Sequence, residues 1–283
     1  MVNPSINSGQ RFAILGVVGS IAPHHLEAIR AVGGRLVVAV DPCGSVGVLD
    51  KYSLEVRYSR DERILNDVPL DWLVVCTPNR LHLEHCLLGL QLGANVICEK
   101  PLVLHPDDLE ILTDVEKKTG KRIYTVLQLR LHPEIVDLKE SLDQERHQVE
   151  VIYHTPRGPW YWQSWKGNKE QSGGLFFSTG IHLFDLLLWL FGPVEDYAIA
   201  DKSRGTGWGT LTLELADVKW SLSVDPLLGR ERSLTIDGVT IDLGKNFDGL
   251  HTQFYHQLMA GNGFGIEDAR PSIELCHKLT MNT

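Results

Sequence analysis

Two patterns of hydrophobic and polar residues follow one another along the chain and change near residue 125. Up to that point short, uninterrupted apolar runs alternate with helical patterns. The runs predict strands at 11–15, 35–40, 72–76, 95–98 and 123–125, a weaker strand near 56–58, and helices at 24–32, 46–52, 82–92 and 107–119. Apolar runs without alternation are typical of parallel strands covered on both faces. The first 125 residues therefore predict a doubly wound parallel sheet of the α/β class.

After residue 125 the predicted strands alternate in polarity. They lie at 149–154, 209–215, 218–224 and 233–236, and one strongly apolar helix is predicted at 181–191. In the second strand Leu211 and Leu213 alternate with threonines, as in an antiparallel sheet with one packed and one solvent-facing side. We therefore predict two domains, residues 1–125 and 126–283. The second is an α+β domain with an open, largely antiparallel sheet.

Composition excludes several classes of protein. The 283 residues are 43% hydrophobic and 22% charged, with 27 Lys and Arg against 36 Asp and Glu, a net charge of −9. Such a chain folds as a globule, and its negative charge argues against a nucleic-acid binder or a polybasic membrane binder. The first residues do not resemble a signal peptide, and no apolar run reaches the ~20 residues of a membrane span. We therefore predict a cytoplasmic protein, most simply an enzyme, that binds neither nucleic acid nor membrane.

The cysteines predict neither a disulfide framework nor a metal centre. They are odd in number and scattered without C-x-x-C spacing, at Cys43, Cys76, Cys86, Cys98 and Cys276. Such a set is typical of buried thiols in a reducing compartment. No metal site is predicted.

The turn after the first predicted strand carries glycines with the spacing G-x-x-G-x-x-A. Gly16 and Gly19 are followed by Ser20 and Ile21 directly before a helix. Glycine lets the backbone approach a pyrophosphate, whose charge is favoured at a helix start. The spacing is one residue longer than the usual fingerprint and by itself equally fits an ordinary turn. Asp41, at the end of the second strand, favours the nucleotide-binding interpretation, because a carboxylate there binds ribose hydroxyls and repels a 2′-phosphate. The combination predicts a dinucleotide site that favours NAD over NADP.

Two further strand ends carry polar side chains. The strand at 72–76 runs into Thr77-Pro78-Asn79, and the strand at 95–98 runs into Glu99 and Lys100. Ligands of open α/β sheets bind beyond the carboxyl ends of the strands. A lysine is most often a solvated surface residue, but Lys100 stands between two apolar segments at such a strand end. We therefore treat it as a candidate functional residue.

These motifs, together with G-I-H-L-F-D at 180–185, resemble the Gfo/Idh/MocA oxidoreductases over nearly the whole chain. Segments at 21–25, 41–47, 127–130, 157–161, 164–167 and 260–270 resemble a branch that oxidises C3 of UDP-linked N-acetylamino uronic acids in bacterial O-antigen synthesis. The resemblance implies an N-terminal Rossmann domain and NAD as the cofactor. It also implies a C-terminal α/β domain whose open sheet supports homo-oligomers, often tetramers.

The resemblance also implies site residues. Lys100 and His182 would flank the nicotinamide. We expect His182 to be the general base, since an imidazole pKa of about 6.5 starts near the working pH, and Lys100 to polarise the reacting oxygen. Many members have an Asp four residues before this histidine, where this chain has Ser178, so Asp185 is a candidate for orienting His182 instead. The expected cofactor contacts are Gly16, Gly19, Ser20, Ile21, Asp41, Ser45, Thr77, Pro78, Asn79, His82, Glu99, Lys100 and Gln128.

A nucleotide uronate carries a diphosphate and a carboxylate, so cations must gather despite the net negative charge. Arginine suits such anions, because its planar guanidinium can bind two oxygens at once. Aromatic side chains can line the binding site for the sugar or the uracil, or they can simply pack at the domain interface. The expected substrate contacts are Lys100, Arg130, Arg157, Tyr161, Trp165, Lys166, Ser178 and His182.

Two other functions are compatible with the sequence. One is a family member that oxidises a sugar or polyol without a nucleotide, and the other is a non-catalytic NAD-binding sensor. Some related dehydrogenases also reoxidise bound NADH with 2-oxoglutarate. The sequence leaves open whether this chain does so.

Overall fold

The computed structural model describes residues 9–44, 47–52, 55–245 and 249–282. The chain forms two compact units. The first unit comprises Met1–Val103, Asp107–Val126 and Gly249–Asp268, and the second comprises Leu104–Pro106, Leu127–Asp248 and Ala269–Thr283. The sequence placed 249–268 in the second domain, whereas this segment packs in the first unit.

The first unit is built on a six-stranded parallel sheet. Its strands are β1 (Arg11–Leu15), β2 (Arg35–Val40), β3 (Arg57–Ser59), β4 (Trp72–Val75), β5 (Asn95–Cys98) and β6 (Ile123–Thr125), in the order β3-β2-β1-β4-β5-β6. β4 is buried along its whole length and β1 along all but its first residue. This confirms the prediction of parallel strands covered on both faces. The order reverses beside β1, which is where such sheets bind ligands.

Helices cross between these strands: α1 (Ala22–Ala31), α2 (His82–Gln91) and α3 (Asp107–Thr119). Single 3₁₀ turns lie at Leu49–Lys51, Glu62–Asp67 and Asn79–Leu81. The predicted helix at 46–52 is therefore wrong within the described residues, where only a 3₁₀ turn is found. The segment includes Gly47 and β-branched Val48, both of which have low helix propensity.

The second unit contains a mixed six-stranded sheet. Its strands are β7 (His147–His154), β8 (Val194–Lys202), β9 (Thr206–Leu213), β10 (Ala216–Ser223), β11 (Glu231–Ile236) and β12 (Val239–Asp242), in the order β12-β11-β7-β10-β9-β8. Only the β7–β10 pair is parallel. Burial alternates along β7, so one face is packed and the other is open, as predicted.

The second unit contains the helices α4 (Pro133–Ser141), α5 (Trp160–Gln163), α6 (Lys169–Ser172) and α7 (Ile181–Phe191), together with most of the last helix of the chain. Shorter turns lie at Gln128–Leu131, Trp165–Gly167 and Pro226–Leu228, and one turn of π-helix at Phe176–Gly180 runs into α7. The helical run Lys169–Phe191 is long and apolar enough to span a membrane by length and composition, which the sequence prediction missed. Because 72% of its most apolar stretch is buried inside the protein, it also has the properties of a core helix.

The segment Gly249–Asp268 returns the chain to the first unit. It contains α8 (Leu250–Met259), which packs against α1, and the start of α9 (Ile266–Met281). After α8 the chain pairs with the edge of the parallel sheet, where the Thr125 N–H donates to the Phe264 carbonyl oxygen at 2.8 Å. The first unit is thus completed by residues more than a hundred positions after β6.

Candidate active site

The turn between β1 and α1 requires a glycine at its first position. Gly16 has φ +82°, and a Cβ there would lie 2.6 Å from the carbonyl oxygen of Cys76. The Gly19 N–H closes the turn on the Gly16 carbonyl oxygen at 3.0 Å. No side chain caps the start of α1, which follows Ile21. The positive end of the helix dipole thus stands beside a glycine turn, which fits a pyrophosphate.

Asp41 is held at the end of β2 by backbone donors. One carboxylate oxygen accepts from the Val18 N–H at 3.0 Å and the other from the Cys43 N–H at 2.9 Å. Each oxygen retains a further lone pair that can accept from a ribose hydroxyl. The carboxylate therefore ties the glycine turn to β2 in the arrangement that a dinucleotide needs. Ser45, the next predicted contact, lies outside the described residues.

Replacing Asp41 with alanine should weaken NAD⁺ binding roughly ten- to hundredfold, the usual range for hydrogen bonds to a charged group. NADP⁺ binding should weaken less or improve, because the charge that repels the 2′-phosphate is lost. Fluorescence titration of both dinucleotides would measure this, with exposed Asp67→Ala as the control. Equal losses for both dinucleotides would remove Asp41 from ribose recognition.

His82 lies between two loops, and its expected contact with the cofactor stays a prediction. The ring is fully buried, with Nδ1 2.6 Å from the Pro101 carbonyl oxygen and Nε2 2.9 Å from that of Thr77. Each ring nitrogen thus faces a backbone carbonyl oxygen. His82 therefore fixes the loop after β4 against the loop that carries Lys100. Thr77 is anchored in turn, since its Oγ1 lies 2.8 Å from His85 Nδ1.

Glu99 lies in a buried network with two histidines, which the sequence did not predict. Its Oε1 is 2.9 Å from His25 Nε2 and 3.0 Å from His251 Nε2, and His25 Nδ1 is 2.8 Å from the Tyr255 hydroxyl. Burial raises the pKa of Tyr255 well above its ordinary value, so this phenol keeps its proton and donates to Nδ1. His25 Nε2–H then donates to Glu99. Burial alone would raise the pKa of Glu99, but the histidine donors reverse this and hold the carboxyl ionised.

The same three side chains form the one group of potential metal ligands within the described residues. Two imidazoles and a carboxylate are a common zinc set. The N···O separations of 2.9 and 3.0 Å are, however, those of ordinary N–H···O hydrogen bonds. The arrangement is fully accounted for by protons, and the absence of a metal site stays a prediction.

Burial lowers the pKa of His25, and this makes folding sensitive to acid. As pH falls below the ordinary histidine pKa of about 6.5, the unfolded chain takes up a proton that the folded chain does not, so stability falls. His25→Gln should flatten the pH dependence of the unfolding free energy between pH 7 and 5.5 by up to about 1.4 kcal/mol per pH unit. Urea unfolding at several pH values would measure it, with exposed His256→Gln as the control. Identical slopes would mean that His25 takes up its proton equally in the folded and the unfolded chain.

Three of the predicted residues come together in the second unit. His182 lies in the first turn of α7, directly after the π-turn that holds Ser178. The Ser178 Oγ is 3.2 Å from the hydroxyl of Tyr161. The ring of Tyr153, which the sequence did not predict, has its centroid 6.2 Å from that of His182. π-turns are frequent at functional sites, and this one displays polar side chains next to a candidate base.

Arg130 and Asp185 form a buried ion pair. Two guanidinium nitrogens of Arg130 donate to the two carboxylate oxygens at 3.0 and 2.7 Å, and both side chains are nearly inaccessible. Arg130 is expected from the sequence to bind substrate, but its positive charge is already paired with a carboxylate inside the protein. Asp185, the candidate for orienting His182, accepts both of these hydrogen bonds.

The remaining predicted residues are placed as follows. Gln128 is buried, and its side-chain oxygen has no hydrogen-bond partner among the described residues, which suits a ligand contact. The Lys166 ammonium lies 5.8 Å from the ring of Trp165, and both residues are half-buried. Asn79 is buried at the start of a 3₁₀ turn; Ile21, Pro78 and Lys100 are half-buried, and Ser20 is exposed.

Comparison with known proteins gives the family. A model of the Gfo/Idh/MocA oxidoreductases, NAD-binding Rossmann fold, matches residues 10–127, and the C-terminal α/β domain of the same family matches residues 145–207. D-glucoside 3-dehydrogenase of Escherichia coli is 30% identical over 68% of this chain and 57% of its own length. The stretch that matches this chain spans between 45% and 63% of the length of the first three relatives found by sequence.

A solved structure matches almost completely. The WlbA (WbpB) dehydrogenase of Thermus thermophilus, in complex with NAD and UDP-GlcNAcA, is 39% identical, with 96% of this chain and 94% of that one covered and a TM-score of 0.92. The same dehydrogenase in complex with NAD and alpha-ketoglutarate matches with a TM-score of 0.93. These matches, together with the two family domains, show that the chain belongs to the Gfo/Idh/MocA oxidoreductase family.

Proposed function

We propose that the protein is an NAD-dependent dehydrogenase that oxidises the C3 hydroxyl of a UDP-linked N-acetylamino uronic acid to a 3-keto sugar. The observation that carries this proposal is the near full-length similarity to a dehydrogenase solved with NAD and UDP-GlcNAcA. The cluster of Tyr153, Tyr161, Ser178 and His182 in the second unit supplies the polar and aromatic groups that such a sugar needs.

The residues of the first unit fit NAD. Gly16 allows the close approach of a pyrophosphate, and Asp41 accepts from the ribose hydroxyls. The loop after β4, with Thr77, Pro78 and Asn79, forms the wall beyond the carboxyl end of the sheet. NAD⁺, when bound, supplies the hydride acceptor. The protein must then supply proton removal and orientation.

We assign proton removal to His182 and alkoxide stabilisation to Lys100. A neutral imidazole takes the hydroxyl proton as hydride leaves C3, and a lysine ammonium donates a hydrogen bond to the oxygen as negative charge develops. The Glu99 network and the His82 bridge hold the backbone on either side of Lys100 in place.

The direct test is NADH formation from UDP-GlcNAcA, compared with UDP-GlcNAc, free sugars and inositol. It must be run with and without 2-oxoglutarate, because an enzyme that retains NADH releases little until a keto acid reoxidises it. We expect turnover of the UDP-uronate, with a 3-keto product identified by mass and by carbonyl trapping. Turnover of inositol or a glucoside alone would support the second candidate below.

The second candidate is a dehydrogenase of a sugar or polyol without a nucleotide. Its support is the D-glucoside 3-dehydrogenase and the inositol 2-dehydrogenases among the relatives, which match at 23–30% identity. The 39% identity to the UDP-GlcNAcA complex over 96% of the chain favours the nucleotide sugar.

The cellular setting is also part of the proposal. We propose a cytoplasmic enzyme of O-antigen sugar synthesis; the five cysteines, all unpaired, agree with a reducing compartment. The open face of the β7–β12 sheet, where Trp208 is exposed, is proposed to form a homo-oligomer, with a tetramer the expected state. Light scattering of the purified protein would measure its size.

A further inference from the structure

A group of arginines in the second unit lies close to the cluster around His182. The guanidinium carbon of Arg232 lies 5.2 Å from the centre of the Tyr153 ring. Arg157, three residues beyond β7, interacts electrostatically with Arg230, Arg232 and Tyr153. Arg157 is expected as a substrate contact from the sequence and the other two arginines are not, although R-E-R at 230–232 is a visible signal in an acidic chain.

Two polar atoms in this group are buried without a partner among the described residues. They are Nε of Arg157 and Oγ1 of Thr155, a residue that is 2% exposed. Thr155 follows Tyr153 by two positions, and its N–H bonds to the Ser223 carbonyl oxygen, so its side chain stays on the face that Tyr153 occupies. Buried polar atoms are nearly always hydrogen-bonded, so both of these atoms remain available to a bound ligand.

The charges around Arg157 indicate that such a ligand would be negatively charged. Burial lowers the pKa of Arg157, and the charges of Arg232 and Arg230 lower it further. The groups that raise this pKa are the phenols of Tyr161 and Tyr153, and within the described residues no carboxylate contributes. Burying a guanidinium among like charges is unfavourable unless an anion joins them.

The carboxylates near β11 lie on the other side of the sheet. Glu231 pairs with His154 and Asp242 with Ser233, whereas Arg232 pairs with Tyr153. Because side chains alternate along a strand, Arg232 shares the packed face with Tyr153 while Glu231 and Asp242 share the open face. The protein thus separates these acids from the face on which Thr155 and Tyr153 lie.

We propose that Arg157, Arg232 and Thr155 form a carboxylate-binding subsite next to His182. The proposal rests on the proposed function and deepens it. The shared chemistry is a carboxylate, which can come from the uronate of the nucleotide sugar or from a keto acid such as 2-oxoglutarate. A carboxylate suits this place because the uronate group sits on the same sugar ring as the reacting hydroxyl. The Tyr153 ring lies 5.2 Å from the Arg232 guanidinium carbon and 6.2 Å from the His182 ring.

The test measures binding to the NAD-loaded protein by calorimetry. The ligands are UDP-GlcNAcA, UDP-GlcNAc, which has the same diphosphate but no carboxylate, and 2-oxoglutarate. Arg157→Gln and Arg232→Gln should each weaken UDP-GlcNAcA roughly ten- to hundredfold while leaving UDP-GlcNAc nearly unchanged. A parallel loss for 2-oxoglutarate would mean that both carboxylates share the subsite. An unchanged affinity for 2-oxoglutarate would mean that the subsite binds the uronate carboxylate alone.

Two further variants separate binding from folding. Thr155→Val removes an unpartnered buried hydroxyl, so the ligand-free protein should melt at the same or a higher temperature while UDP-GlcNAcA binding weakens. Arg146→Gln is the matched control, because Arg146 precedes β7 at the opposite end of the strand and pairs with Asp217 at 2.8 Å. It should leave both ligands unaffected.

Several outcomes would overturn the subsite. Equal losses for UDP-GlcNAcA and UDP-GlcNAc would assign the arginines to the diphosphate. Loss of thermal stability in Thr155→Val and Arg157→Gln without loss of affinity would make them structural. A failure of the proposed function would look different. If the wild type binds the carboxylate ligands more tightly than UDP-GlcNAc but turns none of them over, the carboxylate subsite is supported and the proposed reaction is contradicted.

Discussion

Replacing His182 with asparagine is expected to lower kcat about a hundred- to ten-thousandfold, the usual contribution of a positioned general base. Asparagine keeps a hydrogen-bonding side chain at the start of α7 but cannot take up a proton. NAD⁺ binding should be nearly unchanged, because the Gly16 turn and Asp41 belong to the other unit. Stopped-flow measurement of NADH formation, with NAD⁺ affinity measured in parallel, would separate the two effects.

A matched control is available in the same unit. His154 lies at the end of β7 and contacts the Ser221 hydroxyl at 2.8 Å, and its pKa is lowered by burial. His154→Asn should leave kcat close to the wild-type value. Equal and small losses in both variants would exclude His182 as the base.

Replacing Lys100 with methionine is expected to lower kcat about a hundred- to thousandfold, the range found when one donor to a developing oxyanion is removed. Methionine preserves the apolar stem and removes the ammonium. The effect should appear in kcat more than in the affinity for NAD⁺. Lys118→Met, on the exposed side of α3, is the matched control.

The double variant tests whether the two residues act on the same oxygen. If they do, the combined loss of Lys100→Met and His182→Asn should be clearly smaller than the product of the single losses, as for other residues that work as a unit. Fully multiplicative losses would show that the two groups act independently and would remove the shared-oxygen mechanism.

The parallel sheet of the first unit could be predicted closely from the sequence. Its buried strands are continuous apolar runs, and β1, β2, β5 and β6 begin and end where the pattern predicts. The edge strands of the second sheet could not be predicted in this way. β8 carries two exposed acids near its start, Glu195 and Asp196, and such charged edges protect a sheet against pairing with another chain. They therefore lack the apolar signal on which strand prediction depends.

Individual residues of the candidate site could be predicted, but not their partners. Arg130 is expected as a substrate contact from the sequence, whereas the structure pairs it with Asp185, fifty-five positions away. Likewise Glu99 belongs to a recognisable motif, but its partners His25 and His251 come from distant segments. Long-range pairings of this kind decide whether a charge is available to a ligand. Spacing along one chain carries no information about them.

The return of Gly249–Asp268 to the first unit has a consequence for synthesis of the chain. His251 and Tyr255, which supply donors to the Glu99 network, are synthesised more than a hundred residues after β6. Until then the nascent Rossmann sheet exposes the surface of α1 on which α8 packs and leaves Glu99 without the donor from His251. The nucleotide-binding unit can therefore be completed only after most of the second unit has been synthesised. An expression fragment cut after β6 would contain all six parallel strands but lack α8 and two partners of the Glu99 network, so it would not be a minimal NAD-binding domain.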